Sequence, residues 1–163
     1  GLTRFGKDVV SEMERVGMVV DASHLNDRGF EELCEICQKP FIASHSNSRS
    51  MCNHPRNLTD RQFRMISDFG GLVGINLYPL FLSDGKTVEY EDIYRHIAYF
   101  LSQGGENTLS IGTDFDGAEM PSLWNGVEYM KNIYDYLLQK NMDETIVNKI
   151  FYDNARRFFS DYK

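Results

Sequence analysis

Gly17-Met18-Val19-Val20-Asp21-Ala22-Ser23-His24 opens with a helix-stopping glycine, passes through a short apolar run and ends in polar residues. Met18-Val19-Val20 is too short for a helix and reads as a buried strand closed by Asp21. The same grammar recurs three times. Phe41-Ile42-Ala43 runs into Ser44-His45-Ser46, and Leu72-Val73-Gly74-Ile75-Asn76-Leu77 into Tyr78. Leu109-Ser110-Ile111-Gly112 runs into Thr113-Asp114-Phe115-Asp116-Gly117.

Amphipathic helical patterns separate these strands. Thr3 is placed to cap a helix through Val16 with Phe5, Val9, Met13 and Val16 on one face. A second helix begins near Asn26, carries Phe30, Leu33, Cys34 and Cys37, and is ended by Lys39-Pro40. Thr59 with Gln62 forms a capping box ahead of Phe63, Ile66 and Phe69, and Gly70-Gly71 stops that helix. From about Glu89, Ile93, Ile97, Phe100 and Leu101 recur at helical spacing. The remainder reads as helices over 125–139, 143–151 and 154–159.

Short apolar strands alternating with single helices imply parallel pairing through crossovers. Two architectures accept that pattern, an open doubly wound sheet or a (β/α) barrel. The first usually carries a glycine-rich phosphate loop after its first strand, and none follows Asp21. In the second, chemistry gathers where strands end, which is where the polar clusters stand. No linker or low-complexity stretch interrupts residues 1–163, so they are expected to form one unit.

Composition narrows the function classes. With 42% hydrophobic residues among 163, the chain has material for a core. A formal net charge of −7 argues against nucleic-acid or anionic-membrane partners, which need clustered Lys and Arg. No apolar run approaches the roughly 18 residues of a membrane span. The chain starts at Gly1 with no visible signal peptide, so it says little about targeting. Three cysteines do not suggest a disulfide framework, and Cys34-x-x-Cys37 falls late in a helix rather than at its start. Both are expected to be small core residues, and a reducing, cytoplasmic setting fits best.

The chemistry-bearing residues are His24, His45 and Asp114, each just past an apolar strand. Imidazole is the commonest zinc ligand, and a carboxylate ligates metal or moves protons. A single strand-end histidine is most often structural, whereas two in the same topological place with a carboxylate in a third suggest a site. His96 shares a helix face with Ile93 and Phe100 and is expected to be structural. His54 reads first as part of a loop turn. Arg56, in the loop after the second strand, is either a surface cation or a bidentate grip for a carboxylate. Tyr78 lines the pocket or packs.

Six segments together resemble the membrane dipeptidase (renal dipeptidase) family of zinc metallopeptidases. They are Gly1-Leu2-Thr3 with Phe5-Gly6, residues 17–24, Ile42-Ala43-Ser44-His45-Ser46, His54-Pro55-Arg56-Asn57-Leu58-Thr59, residues 70–78 and residues 111–117. The resemblance implies a (β/α)₈ barrel of the metal-dependent hydrolase type, of which this chain would be the C-terminal half. His24 and His45 look like paired ligands of one zinc, Asp114 like the catalytic carboxylate that also meets substrate, and Arg56 like the residue that binds the dipeptide's terminal carboxylate.

The implied reaction is dipeptide hydrolysis by a hydroxide bridging two zinc ions. The family's His-x-Asp pair and bridging Glu have no counterpart here, so the chain alone is expected to hold at most one zinc, weakly, and to be inactive. Its open edges are expected to pair with a second copy or with the missing N-terminal half. Other readings are a different amidohydrolase-like hydrolase and a non-catalytic half-barrel interaction module.

Overall fold

The helix starts are written in side-chain chemistry. The Thr3 hydroxyl accepts the Gly6 amide at 3.0 Å, and α1 (Arg4–Arg15) follows until Gly17, whose φ of +76° ends it. Asn26 caps α2 (Asp27–Ile36) through Gly29, and Thr59 with Gln62 closes the expected capping box on α3 (Asp60–Asp68). These features belong to a computed structural model that describes residues 1–85 and 87–162.

Three strands, β1 (Ile42–Ala43), β2 (Leu72–Ile75) and β3 (Leu109–Ile111), form a parallel sheet in chain order. The expected first strand is narrower than the sequence suggested. Residues 20–22 run beside β1, with Ile42 donating to Val20 and Ala22 donating to Ile42, yet only Asp21 and Ile42 form a bridge. Met18 is 55% exposed, so this edge lacks the apolar burial that would extend pairing.

Helices cover the sheet. Between β2 and β3 lie the short α4 (Pro79–Leu82), which begins with its proline at the first turn, and α5 (Tyr90–Ser102). Phe63 of α3 stacks on Phe100 of α5 at 4.1 Å, and both are fully buried against β2 together with Ile66 and Ile97. Each such side chain contributes about 1.5–3 kcal/mol of burial. After β3, Gly126 at φ +147° cuts the expected long helix to α6 (Met130–Gln139), preceded by a 3₁₀ turn. The last two expected helices are joined: α7 (Glu144–Asn148) passes through a π turn into α8 (Asn154–Asp161).

One helix turns only part of its expected apolar stripe inward: Met13 packs against the core, and the rest of the stripe does not. In α1, Phe5 is 76% exposed, and Val9 and Val16 are also exposed, while Val10 and Glu14 are buried. The cause is a polar anchor. Glu14 Oε1 accepts the amides of Gln38 and Lys39, both at 2.9 Å, and this draws the Val10–Glu14 face inward.

Beyond β1 the chain folds over the sheet rather than past it. Ser46 N donates to Gly74 O at 2.7 Å, and the Ser44 carbonyl lies against Gly74 and Gly112. A Cβ on Gly74 would sit 1.9 Å from that oxygen, and one on Gly112 would sit 1.8 Å away, so only glycine fits at either place. Above β2, the buried Trp124 donates to Leu77 O at 3.0 Å and ties the segment after β3 to the same end of the sheet.

Among the described residues, no helix is long and apolar enough to cross a membrane. Cys34, Cys37 and Cys52 are free thiols, and burial pushes them up to about 11, about 12 and about 11. Thiolate chemistry is therefore suppressed at all three.

Candidate functional site

The strands end in one direction, and the polar residues beyond them meet over a single hollow. His24, Arg56, Tyr78, Phe81, Asp114 and Glu119 line a cleft of about 420 Å³ there. His45 joins from behind, its Nε2 at 2.9 Å from His24 Nε2. The structure thus brings together His24, His45, Arg56 and Asp114, and Tyr78 lies on the wall.

Behind each of these side chains is a fixed support. Asp21 Oδ1 accepts the amides of Ser23 and Ser44 at 3.0 Å each, and its Oδ2 accepts the Ser44 hydroxyl. Ser44 Oγ in turn lies 2.7 Å from His45 Nδ1. Partial desolvation raises the Asp21 carboxyl, but the three hydrogen bonds and the neighbouring His45 outweigh it and hold it below the usual carboxylate range. Burial lowers the His45 imidazole; Asp114 and Asp21 oppose that, and the net result is a pKa below its ordinary value. His45 is therefore a neutral nitrogen donor at neutral pH.

Arg56 lies across the cleft floor. Its Nε donates to Ser23 O at 3.2 Å, Nη1 is 3.1 Å from His24 Nδ1, and the guanidinium sits 5.4 Å from the Phe81 ring centroid. Nη2 is buried and has no hydrogen-bond partner.

Asp114 stands in the left-handed region at φ +64°, a conformation Asp tolerates better than most residues. Its Oδ2 accepts Asn76 Nδ2 at 3.2 Å. Asn76 is itself wholly buried and pinned: its amide N donates to Asn47, and its Oδ1 accepts Tyr78 N. The carboxylate is held on one side and open on the other.

The other two histidines do not line the cleft. His96 is fully buried in α5, taking the Ser48 amide on Nδ1 at 3.1 Å and reaching Leu82 O with Nε2 at 2.9 Å. His54 accepts the Arg56 amide and lies 4.5 Å from the Phe81 ring, as a loop-turn residue. Three supports, Asp21, Ser44 and Asn76, were not singled out from sequence. Their signal was present, since each is a polar residue at an apolar strand's end and two of them precede a histidine by one or three positions.

The paired imidazoles are donors of the type zinc takes, two of the three or four that a protein zinc site needs. Among the described residues, no group of three or more His, Cys, Asp or Glu is placed to hold a metal ion. The donor set fits zinc but is partial.

Side chains of this kind on loops beyond the C-terminal ends of parallel strands define the class of β/α proteins whose chemistry sits on one rim of the sheet. Within that class the chain belongs to the membrane dipeptidases, peptidase family M19, whose family model matches residues 1–163. It is 34% identical over 161 residues to the "Uncharacterized protein in pqqA 5'region" of Klebsiella pneumoniae, covering 96% of this chain and 59% of that one. It is 31% identical to Dipeptidase tcpJ of Claviceps purpurea, covering 96% and 37%. A metallo peptidase from Rhodobacter sphaeroides, solved with a phosphinate mimic of the dipeptide L-Ala-D-Ala, superimposes with a TM-score of 0.95 at 30% identity. That match covers all of this chain and 48% of the other. The chain therefore spans less than two thirds of the length of the relatives it matches.

Proposed function

We propose that this chain is the C-terminal half of a (β/α)₈ barrel and serves a zinc-dependent dipeptidase. The observation that carries the reading is the convergence of His24, His45, Arg56 and Asp114 on one cleft at a common sheet rim. His24 and His45 would hold one zinc through Nε2. Zinc, when bound, acts as a Lewis acid on a carbonyl and makes water reactive at neutral pH.

The chain's own residues supply the rest. Arg56, a cation on the cleft wall, takes the free carboxylate of a dipeptide and sets its register. Phe81 forms a flat wall beneath the guanidinium and keeps water from its far face. Asp114, braced by Asn76 on Oδ2, accepts a proton from the attacking water on its open side and returns it to the leaving amine.

With two imidazoles and, among the described residues, no group of three donors placed to hold a metal, the isolated chain binds zinc weakly and does not turn over dipeptides. Its partner is a second copy or the N-terminal half of the barrel. The exposed Phe5, Val9, Val16 and Met18 support such an apolar contact. Light scattering of a stable monomer at high concentration counts against the pairing.

The decisive test compares a dipeptide with its C-terminal amide in the intact, zinc-loaded protein. The acid is cleaved and the amide is not, and Arg56→Lys raises KM for the acid about tenfold or more. Equal cleavage of acid and amide defeats the reading.

A further inference from the structure

Arg56, His24, His45, Ser44 and Asp21 form an unbroken line of polar contacts, and its two ends differ in kind. Arg56 Nη1 only donates, so His24 Nδ1, 3.1 Å away, accepts. With Nδ1 accepting, the His24 ring proton lies on Nε2 and is donated to His45 Nε2 at 2.9 Å. At the other end the ionised Asp21 only accepts. The Ser44 hydroxyl spends its one proton on Asp21 Oδ2, so Ser44 Oγ accepts from His45 Nδ1 at 2.7 Å.

The two ends, reasoned separately, assign the same ring form to His45: proton on Nδ1, lone pair on Nε2. No link can be turned without opposing two donors or two acceptors. The neighbouring contacts agree, because Ser23 Oγ accepts His45 N at 2.9 Å and retains its own proton toward Ser44 Oγ at 3.5 Å.

We propose that Asp21 and Ser44 are positioning residues that lock His45 into the tautomer with its Nε2 unprotonated and turned toward His24 beside the cleft. The proposal deepens the metal-binding reading above and rests on it only for the purpose of the lock. A ligating histidine is effective when its other ring nitrogen is held by such a partner, since this fixes tautomer and ring orientation before the ion arrives. Ser44 is well placed for the task, because its carbonyl is wedged between Gly74 and Gly112 and its amide is held by Asp21.

Asp21→Asn provides a test that a merely structural role would not pass. Asp21 Oδ1 accepts two backbone amides, so the asparagine keeps oxygen there and places its NH₂ where Oδ2 was. That NH₂ donates to Ser44 Oγ, Ser44 then donates to His45 Nδ1, and the ring proton moves to Nε2. Two N–H groups now face each other between His24 and His45, and their contact opens.

The measurement is the long-range ¹H–¹⁵N spectrum of the intact ¹⁵N-histidine chain at neutral pH, with zinc chloride affinity by calorimetry beside it. Wild type shows the Nδ1–H form of His45, Ser44→Thr retains it, and Asp21→Asn converts it to Nε2–H. Zinc affinity stays near wild type in Ser44→Thr and falls about 10–100-fold in Asp21→Asn. An Nε2–H wild type overturns the lock whether or not the variants fold, and so does an Asp21→Asn variant whose tautomer is unchanged. Conversion of the tautomer with unchanged zinc affinity upholds the lock and defeats the metal reading instead.

Discussion

His96 and His45 are the same side chain in two kinds of place, and the contrast separates structure from chemistry. His96 gives both nitrogens to the backbone, at Ser48 and Leu82, and is sealed from solvent. His45 gives one nitrogen to a side chain and turns the other toward His24 at the edge of an open cleft. A ring with both nitrogens committed to backbone stitches two loops together. A ring whose second nitrogen is held only by another imidazole beside a cleft can exchange that contact for a ligand.

The hardest test of that contrast removes the stitch. His96→Ala leaves a cavity and two buried backbone groups without partners, so it is expected to cost about 3–5 kcal/mol in urea unfolding. A loss below about 1 kcal/mol would erase the distinction. Next comes acid. Burial, opposed by the Leu82 carbonyl, lowers His96 to about 4, against 6.5 as its ordinary value. A folded-state pKa depressed in this way gives stability that is present in full above about pH 6.5. It is lost as pH falls toward 4, by up to about 3 kcal/mol. Unfolding midpoints followed over that window should drop more steeply in wild type than in His96→Leu.

At the cleft the effect moves from stability to binding. In the intact, zinc-loaded protein, His45→Ala and His24→Ala should each cut zinc affinity by about 100-fold or more while shifting unfolding by under about 1 kcal/mol. Calorimetry alongside thermal unfolding reads both. The smallest change is expected at His54, which has one backbone contact and a ring face on Phe81. His54→Ala should lose about 0.5–1 kcal/mol and leave zinc affinity alone, placing it with His96 rather than His45.

Much of this was legible locally. The caps at Thr3, Asn26 and Thr59 work through residues three positions away, so sequence spacing contains their whole mechanism. The strand ends carrying His24, His45 and Asp114 were legible because period and polarity change together there. The face of α1 was not, because a single carboxylate, Glu14, reaching the amides of residues 38 and 39 outweighed the apolar stripe of Phe5, Val9 and Val16. Nor were Asp21 and Ser44 legible as partners, since 23 positions separate them until the sheet edge forms. Four-residue α4 is shorter than any periodic signal.

The wedge at Gly74 and Gly112 changes how mutational tolerance along this chain should be interpreted. Neither position carries a functional group, yet even a methyl would evict the Ser44 carbonyl and with it the hydroxyl behind His45. A saturation screen for function should therefore rank these two bare backbone positions as intolerant as the histidines. Their constraint would look like chemistry when it is only a lack of room.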